Sequence, residues 1–168
     1  MAGNYLKSLQ LAKQLEERAK EASKNRELAE KEDEALEQFL KACRENDVDL
    51  SAVEKPKKEF ETAMLAKDYQ SALAHAAKAR EAASEAYIKR IGDVADSVEA
   101  LLGLMQGSEI EPKGAHDYLE RSKERVVADD LEGAMKFAKN AYDAAERQLH
   151  EFLSQLFSQA QEVMIQAK

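Results

Sequence analysis

At 168 residues the chain is long enough for one domain or for a short array of repeated units. Apolar residues make up 44% and charged residues 35%, and 33 acidic against 25 basic side chains leave a formal charge of −8. An acidic surface of interspersed signs disfavours non-specific binding to nucleic acid or to an anionic membrane surface, no apolar run approaches the roughly 18 residues of a transmembrane helix, and a single cysteine excludes an intramolecular disulfide.

Ala, Glu, Lys, Leu and Gln dominate, and no stretch alternates apolar and polar residues as a half-buried strand would, so every predicted element is a helix. The first covers 4–45 and stops at Asn46-Asp47. Between Glu16 and Glu34 it is mostly charged, and one-turn pairs such as Glu16–Lys20 and Glu27–Lys31 describe a solvated face. Its opening residues Tyr5, Leu6, Leu9, Leu11 and Leu15 are more apolar. The second helix, 52–66, starts at a capping box, Ser51-x-x-Glu54, with Pro56 tolerated near the start.

The third helix covers 69–106, with Asp68 as its cap and Gln106-Gly107-Ser108 as its stop. At 1.5 Å per residue it is about 57 Å long. Its inward seam reads Leu73, Ala76, Arg80, Ala83, Tyr87, Ile91, Val94, Val98, Leu101 and Met105. Steps of three and four alternate except at Tyr87–Ile91, where two steps of four follow one another, a stutter in a coiled-coil-like seam. This reads as one helix whose two halves serve different neighbours. The fourth helix, 112–127, takes Pro112 at its first position, and the fifth, 131–167, follows the cap Asp130.

The chain repeats itself. Tyr69–Ala79 recurs as Leu131–Ala141, an offset of 131 − 69 = 62 residues, with Ala72, Ala76, Ala79, Ala82 and Ala83 matching Ala134, Ala138, Ala141, Ala144 and Ala145. Upstream, Leu36, Phe39, Leu40 and Cys43 match Val98, Leu101, Leu102 and Met105, so Cys43 is read as a small buried hydrophobe. The units are 7–68, 69–130 and an incomplete 131–168. Tight turns at Lys67-Asp68 and Asp129-Asp130 force antiparallel neighbours. The expected fold is all-α: an elongated array of two overlapping antiparallel three-helix bundles, about 28–87 and 88–148, sharing one long continuous central helix in a long-short-long-short-long order. The first core is expected to use Leu36, Phe39, Leu40, Cys43, Val53, Phe60, Met64, Leu73, Ala76 and Ala83. The second is expected to use Val94, Val98, Leu101, Met105, Ala115, Tyr118, Leu119, Val126, Met135, Ala138 and Ala145.

A helix that ends one triple bundle and begins the next resembles the spectrin-repeat plan, with a shorter unit and a shorter middle helix. Lys67-Asp68-Tyr69-x-x-Ala72 and Asp129-Asp130-Leu131-x-x-Ala134, each followed by further alanines, are similar to the second helix of a tetratricopeptide repeat. The rest of that motif is missing, so that family's peptide-binding residues are not carried over. The whole chain also resembles the alanine- and glutamate-rich helical repeats of archaeal and bacterial proteins of unassigned role. These resemblances imply architecture only.

The repeat requires the second half of the fifth helix to be covered by further helices, and the sequence ends first. That half is amphipathic: Leu149, Phe152, Leu153, Leu156, Phe157, Ala160, Val163 and Met164 form one stripe, with Glu151, Glu162 and Lys168 as its few charges. The stripe is expected to pair with a second copy, to meet the N-terminal helix of a neighbour, or to belong to a longer array; self-association is favoured. Catalytic signals are poor. A helical di-iron site needs Glu-x-x-His pairs on facing helices, and none occurs. Glu146 and His150 share a face but read as a surface pair, and His116 has no second set of ligands nearby in sequence. Phosphate-cradling, nucleophile-elbow and zinc motifs are absent. The expectation is a non-catalytic structural or scaffolding module without cofactor or metal, cytoplasmic by its lack of a signal-peptide pattern. It associates with itself or a partner protein through the last helix and binds neither nucleic acid nor membrane. The alternatives are an adaptor that captures a helix or peptide beside that helix, and, more remotely, a metal-binding helical enzyme.

Overall fold

The computed structural model describes residues 2–105 and 113–166, with side chains described for 7–105 and 114–165. Five helices account for the described elements: α1 Ala2–Glu45, α2 Glu54–Leu65, α3 Tyr69–Leu104, α4 Lys113–Val127 and α5 Leu131–Gln166. The all-α expectation holds, and α3 is unbroken through Tyr87–Ile91. The stop at Gln106-Gly107-Ser108 and the start at Pro112 lie outside the described residues. The chain divides into two compact units, Met1–Ala86 and Tyr87–Lys168.

The turns are built alike. Lys67 and Asp129, one repeat apart, both adopt left-handed backbone, with φ of 58° and 59°. The following amides close each helix end: Asp68 N–H donates to Ala63 O at 2.9 Å, and Asp130 N–H donates to Arg125 O at 2.9 Å. α1 ends the same way at Asp47, where φ is 55° and Val48 N–H donates to Cys43 O at 3.0 Å. Each aspartate then caps the next helix. Asp68 accepts from the Ser71 amide (3.2 Å) and hydroxyl (2.7 Å), and Asp130 accepts from the Gly133 amide at 2.9 Å. A Cβ on Gly133 would crowd the Asp130 carboxylate as it is placed here, whereas the matching position in the first unit, Ser71, carries one beside the Asp68 cap. The capping box at Ser51 does not form: α2 has no side-chain cap, and the Ser51 amide donates instead to Asp49 Oδ1 at 3.0 Å. Pro56 sits in the first turn of α2, where its missing N–H leaves no helical bond unmade.

In the first unit, Ala29 of α1, Phe60 and Ala63 of α2, and Ala72 and Ala76 of α3 form one buried cluster. Leu36, Leu40, Cys43, Val53, Ala79 and Ala83 are buried as well. Lys57 ties α2 to α1 through Glu37 at 2.5 Å, and this bond raises the Lys57 ammonium above its ordinary range. In the second unit, Val98, Leu102 and Met105 of α3, Ala115 and Leu119 of α4, and Ala141, Ala144 and Ala145 of α5 form the core. Ser122 is buried there, and its hydroxyl donates across to Ala134 O at 2.8 Å.

The seam of α3 differs from the sequence expectation. The buried positions are Ala72, Ala76, Ala79, Ala83, Tyr87, Ile91, Val98, Leu102 and Met105. Leu73, Val94 and Leu101 are only half-buried, and Arg80 is exposed, 3.7 Å from Glu32. Alanine takes the central line because helices approach there too closely for leucine or arginine. Phe39, Met64, Tyr118 and Val126 are likewise half-buried at the margins of the cores. Replacing Ala79 or Ala141 with Leu should therefore destabilise the protein by about 1–3 kcal/mol through overpacking. Leu at the exposed Ala74 should change stability by less than about 0.5 kcal/mol. Urea denaturation of the three variants separates packing from helix propensity, which would rank all three alike.

Candidate functional site

The predicted stripe of α5 is divided by the structure. Leu149 and Phe152 pack against the core of the second unit. Beyond them the side chains stand in the open: Leu153 is 41% exposed, Phe157 72% and Met164 62%, with Leu156, Ala160 and Val163 exposed as well. Ile165, which was not part of the expected stripe, is also exposed but lies away from it on the helix. Apart from Ile165 the opposite face is polar, and Ser158 there bonds back to Ser154 O at 3.0 Å. In the first unit, Leu9, Leu11 and Leu15 of α1 are exposed, and residues 7–24 have no buried member. The solvated pair Lys20–Glu16 forms at 2.6 Å, and Arg26 pairs with Glu30 at 2.8 Å. The Tyr5 and Leu6 side chains fall outside the described set.

The repeat offset shows what is unusual about the stripe. Leu153, Ala160 and Met164 lie 62 residues after Ile91, Val98 and Leu102. Those three are buried in the second unit, whereas their counterparts on α5 are bare.

An open groove of about 690 Å³ runs along α2 and the start of α3, with Glu54, Lys55, Lys58, Glu59, Asp68 and His75 among the residues on its walls. His75 Nδ1 lies 3.1 Å from Glu59 Oε2. The two are misaligned for a hydrogen bond, so this buried nitrogen has no partner. The Ser71 hydroxyl and then its amide hold the Asp68 carboxyl below the ordinary range. A smaller cavity of about 380 Å³ in the second unit is lined by Arg90, Val94, Ser97, Lys139, Tyr142 and Asp143. Among the described residues, no group of three or more His, Cys, Asp or Glu side chains is arranged to hold a metal ion. His116, Glu146 and His150 are all exposed, and Cys43 is buried. No described helix is long and apolar enough to cross a membrane.

The chain matches no protein-family model, no curated protein and no solved structure. Of the resemblances drawn from sequence, the structure carries the all-helical architecture.

Two outcomes follow. Phe152→Ala should cost about 1–3 kcal/mol in dilute solution because part of a core contact is lost, whereas Phe157→Ala should stay within about 0.5 kcal/mol; chemical denaturation at low protein concentration measures both. The Asp68 bonds require the ionised carboxylate. Their contribution is full above the ordinary aspartate pKa of about 4 and is lost as the pH falls through the lowered folded value. Thermal melts below that pH should lose stability more steeply in the wild type than in Asp68→Asn.

Proposed function

We propose that this chain is a non-catalytic scaffolding module of helical repeats that joins a second copy of itself through the exposed stripe of α5. The observation that carries this reading is the row Leu153, Leu156, Phe157, Val163 and Met164, all exposed on one helix, where the repeat counterparts of Leu153 and Met164 are buried and those of the others half-buried. A contiguous apolar stripe with so few charges is the usual mark of an association face. A second copy fits because the stripe carries only Glu151 and Glu162 near it, so two copies meet without rows of like charge. Ala160 at its middle allows the helices to come close.

Magnitude sets the expected strength. Full burial of one large apolar side chain gives about 1.5–3 kcal/mol, and association costs about 4–15 kcal/mol of rigid-body freedom. Two such stripes bury less than the roughly 1,200 Å² of a tight interface. A dimer with a Kd of about 1–100 μM is expected.

Sedimentation equilibrium across that range should show wild-type dimers dissociating on dilution, and Phe157→Asp should be monomeric throughout with unchanged helicity. A wild type that stays monomeric at the highest concentration would sink the self-pairing reading and leave a different protein as the occupant of the stripe.

A further inference from the structure

We propose that the groove of the first unit is a receptor for the arginine side chain of a partner polypeptide. The argument comes from comparing one repeat with the next. In the second unit, Arg125 lies on the aromatic face of Phe137, with Cζ 5.9 Å from the ring centroid, and its Nη1 pairs with Asp130 Oδ2 at 3.0 Å. Arg121 also lies over that ring at 5.9 Å, and Tyr118 stacks beside it at 6.3 Å. The guanidinium therefore sits between a flat ring and a helix-capping carboxylate, both supplied by the same chain.

At the same offset of 62 residues the first unit keeps the capping carboxylate, exchanges the ring for an imidazole, and lacks the guanidinium. Asp68 stands where Asp130 stands, and it caps α3 as Asp130 caps α5. The imidazole of His75 takes the place of the Phe137 ring, and Ala63 takes the place of Arg125. Glu59 replaces Arg121, which inverts the charge of that wall. Two guanidiniums and one carboxylate in the second unit thus become two carboxylates and an imidazole in the first. The groove lies along these residues, with Ala63 on its wall.

Both carboxylates keep acceptor capacity beyond their present contacts with Ser71 and His75. Each Asp68 oxygen accepts from Ser71 and keeps a further lone pair. Glu59 Oε2 is near His75 Nδ1 without a formed hydrogen bond. Lys55 and Lys58 border the groove, but among the described residues neither makes an ion pair with Glu59 or Asp68. A planar guanidinium fits better than an ammonium. It can lie on the imidazole while its N–H fork spans a carboxylate, a geometry lysine cannot reproduce. The site lies on α2 and α3 of the first unit and stands independently of the α5 stripe.

The test is amide NMR of the full ¹⁵N-labelled chain, in the Phe157→Asp background so that self-association does not intrude. The probes are the peptides acetyl-Gly-Arg-Gly-amide and acetyl-Gly-Lys-Gly-amide. The arginine peptide should produce saturable shifts at Glu59, Thr62, Ala63, Asp68 and His75 in the roughly millimolar range expected of one side chain, with the lysine peptide at least about ten-fold weaker. Ala63→Arg, which supplies the guanidinium in cis, should abolish these shifts, and Glu59→Gln should weaken binding about five-fold or more while leaving the spectrum folded. Absence of saturation with the arginine peptide, an equal response to lysine, or undiminished binding in folded Ala63→Arg or Glu59→Gln would each overturn the proposal.

Discussion

Alanine at 72, 76, 79 and 83 in the first unit, and at 134, 138, 141 and 145 in the second, removes every atom beyond Cβ from the line along which helices meet. The backbones can then approach closely, and the larger side chains that fill the remaining space must come from beside that line. Phe60 does so in the first unit, and Leu119 with Val98 and Leu102 does so in the second. The left-handed turns at Lys67 and Asp129 deliver each short helix onto the alanine face at the same register. The caps at Asp68 and Asp130 start the following helix at the same point. Burial, turn and cap therefore repeat as one assembly, and each would be of little use without the others.

The helices were legible in the sequence because their signals are local. Aspartate before α3 and α5, tight turns at 67–68 and 129–130, and apolar spacing of three and four placed all five within a few residues of their observed limits. The seam was displaced by one position at Leu73, Arg80 and Leu101, where Ala72, Ala79 and Leu102 are the buried residues. At 72–73 hydropathy ranks leucine above the alanine that is buried, whereas at 79–80 and 101–102 an assumed spacing of three and four selected the wrong neighbour. A capping box at Ser51 failed for a related reason. The motif specifies what the side chains can do, whereas here the Asp49 carboxylate accepts from the Ser51 amide.

The α5 stripe was legible as a pattern, but its division was not. Nothing in the spacing of Leu149, Phe152 and Leu153 shows that the first two belong to the bundle and the third to solvent. The groove of the first unit was not foreseen, because the signals read in it, the Ser51-x-x-Glu54 box and the Asp68 cap, concern helix starts and point to no ligand. The repeats differ there, with alanine at 63 where arginine stands at 125, and a residue that is missing leaves no signal in a motif search. Comparing positions 59, 63 and 75 with 121, 125 and 137 would have exposed it, since charge and size change there while the flanking alanines do not.

The inter-helix bond of Ser122 separates the two copies in another way. Its hydroxyl reaches the Ala134 carbonyl at 2.8 Å, so the gap between α4 and α5 admits a serine. The matching gap in the first unit holds the full ring of Phe60 against Ala72 and Ala76. A phenylalanine transplanted to 122 would have no room, and a serine transplanted to 60 would leave a void. Each short helix is thus keyed to its own long helix, and two segments that look like duplicates on paper are no longer exchangeable parts.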